Sequence, residues 1–209
     1  MTALTKVRRR PASVPMLKAQ PATRPERMRF TVAQYYKLGE SGVIPEDVRT
    51  ELIDGEILIA RPPDPIHSSS VDRTQERAQL RVPESMRVRL EQPVHLDDHS
   101  EPVPDISVVK RKDYESQHPT PADIHLIIEF SNTTLVDDLT TKRDLYARAA
   151  IKEYWVVDIN GRQVHAFTKP RAGVYREQRL FLDGDMVKCS AVPSLQLKVG
   201  EMLPRKGRK

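Results

Sequence analysis

The stretch from Asp123 to Ile159 constrains the fold more than any other. "DIHLIIEF" (123–130) is an apolar run of strand length, the kind found in the middle of a sheet. Residues 134–150 have the period of a helix, and "EYWVVDI" (153–159) is a second strand of the buried type. Leu135, Leu139, Lys142, Tyr146 and Ala149 advance in steps of 4, 3, 4 and 3, one stripe of an amphipathic helix. Lys142 is the one charged member. A lysine in a core-facing stripe must snorkel out to water or meet an acid. Glu129 breaks the run Leu126-Ile127-Ile128-Glu129-Phe130, and side-chain alternation puts it on the face of Ile127. A buried, ionised glutamate is costly unless it is paired or bound to a metal.

A third charge stands at the mouth of another strand. In "PDISVV" (104–109), Asp105 precedes Ile106, Val108 and Val109. Two readings fit the spacing. In one, Asp105 is a wet turn residue, Lys142 pairs only with Asp138 one turn back on the helix, and Glu129 marks the wet end of its strand. In the other, Asp105, Glu129 and Lys142 converge to hold something cationic.

The remaining segments give a mixed sheet with helices against it, in one domain. "FTVAQYYKLGES" (30–41) reads as a short helix capped by Thr31. "RTELIDGEILIARPP" (49–63) reads as a hairpin turning at Asp54-Gly55. Residues 66–82 have helical length but few apolar positions after the first, Val71, Ala78, Leu80 and Val82. Residues 86–96 alternate as a strand interrupted near Pro93. Asn160-Gly161 signals a second hairpin, and two further strands flank Asp183-Gly184.

Charge is distributed unevenly. Of the net +5, residues 1–29 carry +7 and "RKGRK" (205–209) carries +4, which leaves −6 on residues 30–204. The first 29 residues are proline-rich, basic and without a sustained period, so they are expected to be disordered, as is the basic C-terminal tail. Such tails either hold nucleic acid through phosphates or serve as solubilising extensions. No apolar run approaches the ~20 residues of a membrane helix, and no secretory leader is visible. The single cysteine, Cys189, rules out disulfides within the chain and cysteine-only zinc sites, and fits a reducing cytoplasm.

Four segments together resemble one family. They are "ELIDGEI" (51–57), "PPDPIH" (62–67), "EPVPDISVV" (101–109) and "IIEFSNTTLVDDLTTKRDLYARAAIKEYWVVD" (127–158). The chain resembles the Uma2 family of the restriction-endonuclease-like PD-(D/E)XK superfamily, from about Phe30 to Leu203. The resemblance implies an α/β nuclease core, a mixed central sheet flanked by helices with hairpin additions. It implies a metal-dependent endonuclease acting on DNA. Asp105 and Glu129 would bind Mg²⁺ or Mn²⁺, with Glu51 as a further acid. Lys142, supplied by the helix, would stabilise phosphoryl charge or orient water, because the superfamily's usual lysine place holds Ser131. His67 falls at a recurrent family position without an evident role. A lone histidine there reads more simply as structural, and so does His125. Tyr146 reads as packing rather than as a partner of Lys142, and Tyr154 and Trp155 as core. The chain departs from the family at Ala149-Ala150, where Ala-Gly is usual, and in the polar character of the helix after His67. A homodimer would supply two sites for two strands. The alternatives are a nucleic-acid-binding or interaction module of the same fold without turnover, and a purely structural protein.

Overall fold

The structure, a computed structural model, describes residues 27–205. The expected tails at 1–26 and 206–209 lie outside the described residues. Residues 27–29, expected to belong to the tail, are held against the body. Arg27 pairs with Glu56 at 3.1 Å, and Arg29 with the same carboxylate at 3.5 Å.

Helix α1 (Val32–Glu40) starts at a capping box, in which Thr31 and Gln34 each bond the other's backbone N–H. Strands β1 (Thr50–Ile53) and β2 (Glu56–Ile59) form the expected hairpin. Its turn residues Asp54 and Gly55 both have positive φ, 49° and 77°, as a tight two-residue turn requires.

Helix α2 (Pro65–Gln79) is regular despite its polar sequence. Asp64 caps it, accepting from the backbone N–H of Ile66 and of His67, and Pro65 occupies the first turn. Its buried face is Ser70, Val71, Thr74 and Ala78. The two hydroxyls are satisfied within the helix, Ser70 by Ile66 O and Thr74 by Ser70 O. A buried face can therefore be built from small polar residues, which is why it lacked an apolar signature.

Strand β3 (Met86–Leu90) is shorter than the alternation of 86–96 suggests. Glu91 takes φ 43° and ends the ladder, while Val94 and Leu96 are buried from irregular chain. Strands β4 (Ile106–Lys110) and β5 (Ile124–Ser131) follow. The expected single helix after β5 is interrupted. An α-turn, α3 (Leu135–Asp137), passes into a π-helical turn at Asp138–Lys142 and then into α4 (Arg143–Arg148). Thr140 back-bonds Val136 O at 2.6 Å inside this turn, and one inserted residue re-aims everything that follows.

Strands β6 (Glu153–Asp158), β7 (Gln163–Arg171) and β8 (Val174–Leu182) complete the main sheet. Its order is β3-β4-β5-β6-β7-β8, antiparallel throughout except for the parallel pair β5 and β6. The Asn160-Gly161 hairpin forms, but its left-handed residue is Arg162 (φ 52°). Gly161 is needed for close approach instead: a Cβ there would lie 2.1 Å from the Asp158 carboxylate. Strands β9 (Met186–Lys188) and β10 (Gln196–Lys198) pair with each other and lead into α5 (Val199–Met202).

Two cores result, one on each face of the sheet. Ile106, Val108, Leu126, Ile128 and Trp155 pack with α2, α5 and the β9–β10 pair. Ile127, Tyr154, Val156 and Phe167 pack with Leu145 and Tyr146 of α4 and Ile53 of the hairpin. Alternation puts Glu129 on the second face, under the interrupted helix.

Candidate active site

Glu129 is 3 % exposed and lies near the end of β5. Its Oε1 accepts from Lys142 Nζ at 3.1 Å and from the Tyr146 hydroxyl at 2.9 Å. Lys142, at the last position of the π turn, reaches Glu51 Oε1 on β1 as well, at 3.6 Å. Glu51 is anchored by the backbone N–H of Val103, which donates to Oε2 at 3.1 Å. Asp105 precedes β4 and meets the end of β5. Its Oδ2 accepts from Phe130 N at 2.7 Å and lies 3.2 Å from His67 Nε2. The Asp105 N–H points at Glu129 Oε2, 3.4 Å away.

Asp105, Glu129, Lys142 and Glu51 are thus brought together from three strands or strand ends and one helix. The alternative in which Lys142 pairs only with Asp138 does not hold. Asp138 is buried and turned elsewhere, accepting from Ser131 Oγ at 2.6 Å and Thr134 Oγ1 at 2.7 Å. Ser131, in the superfamily's lysine place, therefore fixes the start of the interrupted helix.

Two residues have larger parts than the sequence assigned. Tyr146 does not merely pack; it donates to Glu129. The phenol lies on the same stripe as Lys142, the one signal that could have found it. His67, read as structural, touches Asp105 and rests edge-on against Phe130 at 6.2 Å. Nothing in its spacing reveals this, because α2 and β4 meet only in the folded chain. His125 does not reach the site. The β4–β5 register shifts between Val108 and Val109, opposite His125, and its charged neighbours are Lys152, Lys110 and Asp123. Tyr154 and Trp155 are fully buried, as their apolar segment implies.

The electrostatics are those of an under-neutralised acid cluster. Burial pushes the Glu129 carboxyl well above its ordinary range; Lys142 opposes this, while Asp105, Asp138 and Glu51 push it further. For Lys142, burial acts to lower the pKa, but Glu129, Glu51, Asp138 and Asp105 together overcome it and the net direction is upward. Burial also lowers His67, yet its bond to Asp105 and the charges of Asp105, Asp64 and Glu91 raise it overall. Burial raises Asp138, against Lys142 and the Ser131 and Thr134 hydroxyls.

These side chains line a cleft of ≈ 780 Å³. Its walls include Arg49 and Arg61 near the hairpin, Asp64 and His67 at the start of α2, and Asn132 to Asp138 on the other side. Among the described residues, no group of three or more His, Cys, Asp or Glu is placed to hold a metal ion. The donors nonetheless suit a hard divalent cation. Asp105 Oδ1 takes no hydrogen bond within the described protein, and Glu129 Oε2 takes only the long one from Asp105 N. Two carboxylate oxygens plus waters and substrate oxygens is a usual Mg²⁺ arrangement. A dication would also relieve the acids that Lys142 leaves unbalanced.

Comparison with known proteins bears on the family and the fold. Residues 32–200 match the family described as "Uma2: Putative restriction endonuclease". No curated protein matches the chain. Among solved structures, the chain is similar to a protein of Anabaena variabilis ATCC 29413 described as "a putative nuclease belonging to DUF820". The TM-score is 0.63 at 21 % identity, covering 83 % of this chain and 97 % of that one, a likeness of fold. Among the described residues, no helix is long and apolar enough to cross a membrane. With the family matched over most of the chain, and with a fold like that of the Anabaena protein, the protein belongs to the Uma2 family.

Proposed function

We propose that the protein is an endonuclease that hydrolyses phosphodiester bonds in DNA with the help of Mg²⁺ or Mn²⁺. The observation that carries this reading is the meeting of Lys142 Nζ with Glu129 and Glu51, beside Asp105, in one cleft. When bound, the ion would polarise a phosphoryl oxygen and acidify a water. Asp105 and Glu129 would hold it, with Glu51 as a further acid.

The chain's own residues divide the remaining work. Phe130 N and His67 occupy Asp105 Oδ2 and fix the carboxylate plane, leaving Oδ1 without a donor among the described residues. Tyr146 and Lys142 do the same at Glu129 Oε1. Lys142 keeps its proton, because four acids raise its pKa, so it serves as a fixed cation and hydrogen-bond donor rather than as a general base. It would stabilise charge developing on the phosphoryl oxygens or orient the attacking water.

The test incubates the purified protein with supercoiled DNA and Mg²⁺ or Mn²⁺. Cleavage is expected, and Lys142→Ala should slow it about 10²–10³-fold. An unchanged rate in that variant would remove Lys142 from the mechanism. Salt-sensitive binding with no cleavage under either metal would favour a binding module of the same fold.

A further inference from the structure

Six buried polar side-chain atoms among the described residues have no hydrogen-bond partner, and four of them belong to one neighbourhood away from the cleft: Arg87 Nε, Arg89 NH1, Ser107 Oγ and His118 Nδ1. Arg89 and Ser107 are directly paired across β3 and β4, and Arg87 lies two residues along on the same face. Both guanidinium groups sit against one ring, that of Tyr114, at 5.1 and 5.3 Å, and Lys112 Nζ approaches the same ring at 5.2 Å. His118 adjoins Arg89 closely enough to feel its charge.

Among the described residues, no carboxylate answers these two arginines. Asp123 is taken by Lys112 at 2.9 Å and Lys110 at 3.8 Å. Glu101 is taken by Tyr36 and by His95 at 3.1 Å. Arg89 is 9 % exposed, and its one hydrogen bond goes to the neutral side chain of Gln92. Burial and the like charge of Arg87 depress the Arg89 guanidinium, and Tyr114 offsets this only in part. Cation–π contacts contribute about 0.5–1 kcal/mol at such sites and leave the in-plane N–H donors unused. A cluster of unsatisfied buried donors calls for an occupant.

We propose that Arg87, Arg89 and Ser107, under Tyr114, form a binding site for a phosphate-type oxyanion. Two guanidinium forks beside a serine hydroxyl match a tetrahedral dianion better than a single carboxylate. Residues 111–119, which carry Tyr114 and His118, form no helix or strand, and a ligand seated beneath Tyr114 would displace the bond of its hydroxyl to Lys110 O. The site is distinct from the catalytic cleft and does not depend on the nuclease reading.

The experiment uses the full chain without divalent metal and titrates inorganic phosphate against chloride at matched ionic strength. Thermal unfolding and calorimetry are the readouts. Saturable binding and a rise in Tm specific to phosphate are expected. Arg87→Gln, at a half-buried position, should weaken the affinity at least tenfold, and Arg89→Gln should abolish it. Lys142→Ala should retain it. A short DNA oligonucleotide that competes with phosphate would identify the source as a nucleic-acid backbone. Absence of competition would identify free phosphate or a small phosphorylated ligand. The proposal is overturned if phosphate acts no differently from chloride, if both arginine variants bind as the parent does, or if only Lys142→Ala loses the effect.

Discussion

At the scale of single residues, the candidate site was legible where a charge conflicted with its pattern. Lys142 stood in an apolar stripe and Glu129 in an apolar strand, and the fold resolves both conflicts by joining them at 3.1 Å. His67 carried no such conflict, since a polar residue near the start of a polar helix offends nothing. Its contact with Asp105 predicts a pH effect. His67 has a raised pKa in the folded protein, so its pairing adds stability below about pH 6.5, and that stability is lost as pH rises through the folded value. His67→Ala should therefore destabilise more at pH 5.5 than at pH 8.5, measured by urea unfolding at both; an equal cost at each would detach His67 from the pair. Ala150 provides a second prediction. The departure from the family's Ala-Gly leaves an alanine at φ 57°, a left-handed conformation that strains any Cβ. Ala150→Gly should raise stability by about 1 kcal/mol, read as a higher denaturation midpoint with unchanged slope.

At the scale of elements, the hairpins and most strands followed their signals, as did α1, while β3 stopped short and α2 and the helix after β5 deviated. The Asp54-Gly55 turn and the runs at 124–131 and 153–158 form as their residues dictate, because alternation and turn chemistry are local. Helix α2 was obscured by hydroxyls that satisfy themselves inside it. The π turn was hidden because its cause lies partly outside the helix, in Ser131 and Thr134 holding Asp138. A comparable long-range tie secures the small β9–β10 pair. Glu153, at the start of β6, accepts from Trp155 Nε1 and Ser190 N, both at 2.7 Å, and from Ala191 N at 3.2 Å. Converting this acceptor-only group to an amide turns a donor toward donors. Glu153→Gln is expected to cost about 1.5–3 kcal/mol in chemical denaturation and to open the 189–191 loop to proteolysis. A loss below ~0.5 kcal/mol would show that the carboxylate network is not what holds that segment.

At the scale of the whole molecule, charge and function pull apart. Residues 30–204 carry −6 while the tails carry the basic excess, so the proposed DNA substrate would meet a repulsive body with attractive ends. Deleting residues 1–26 should leave the melting temperature unchanged and weaken DNA binding. It should also flatten the dependence of log K on log salt, by about 0.9 for each phosphate that the tail had neutralised. Binding with the same salt slope after deletion would assign the tail no part in it. The sequence alone determined the elements of the main sheet and the three charges that do not suit their surroundings, because periodicity and burial cost act within one segment. Only tertiary structure decided which oxygen meets which donor, that His67 reaches Asp105, and that two arginines share one tyrosine ring. Those facts depend on distances between segments far apart in the chain, and these are set by packing the two faces of one sheet.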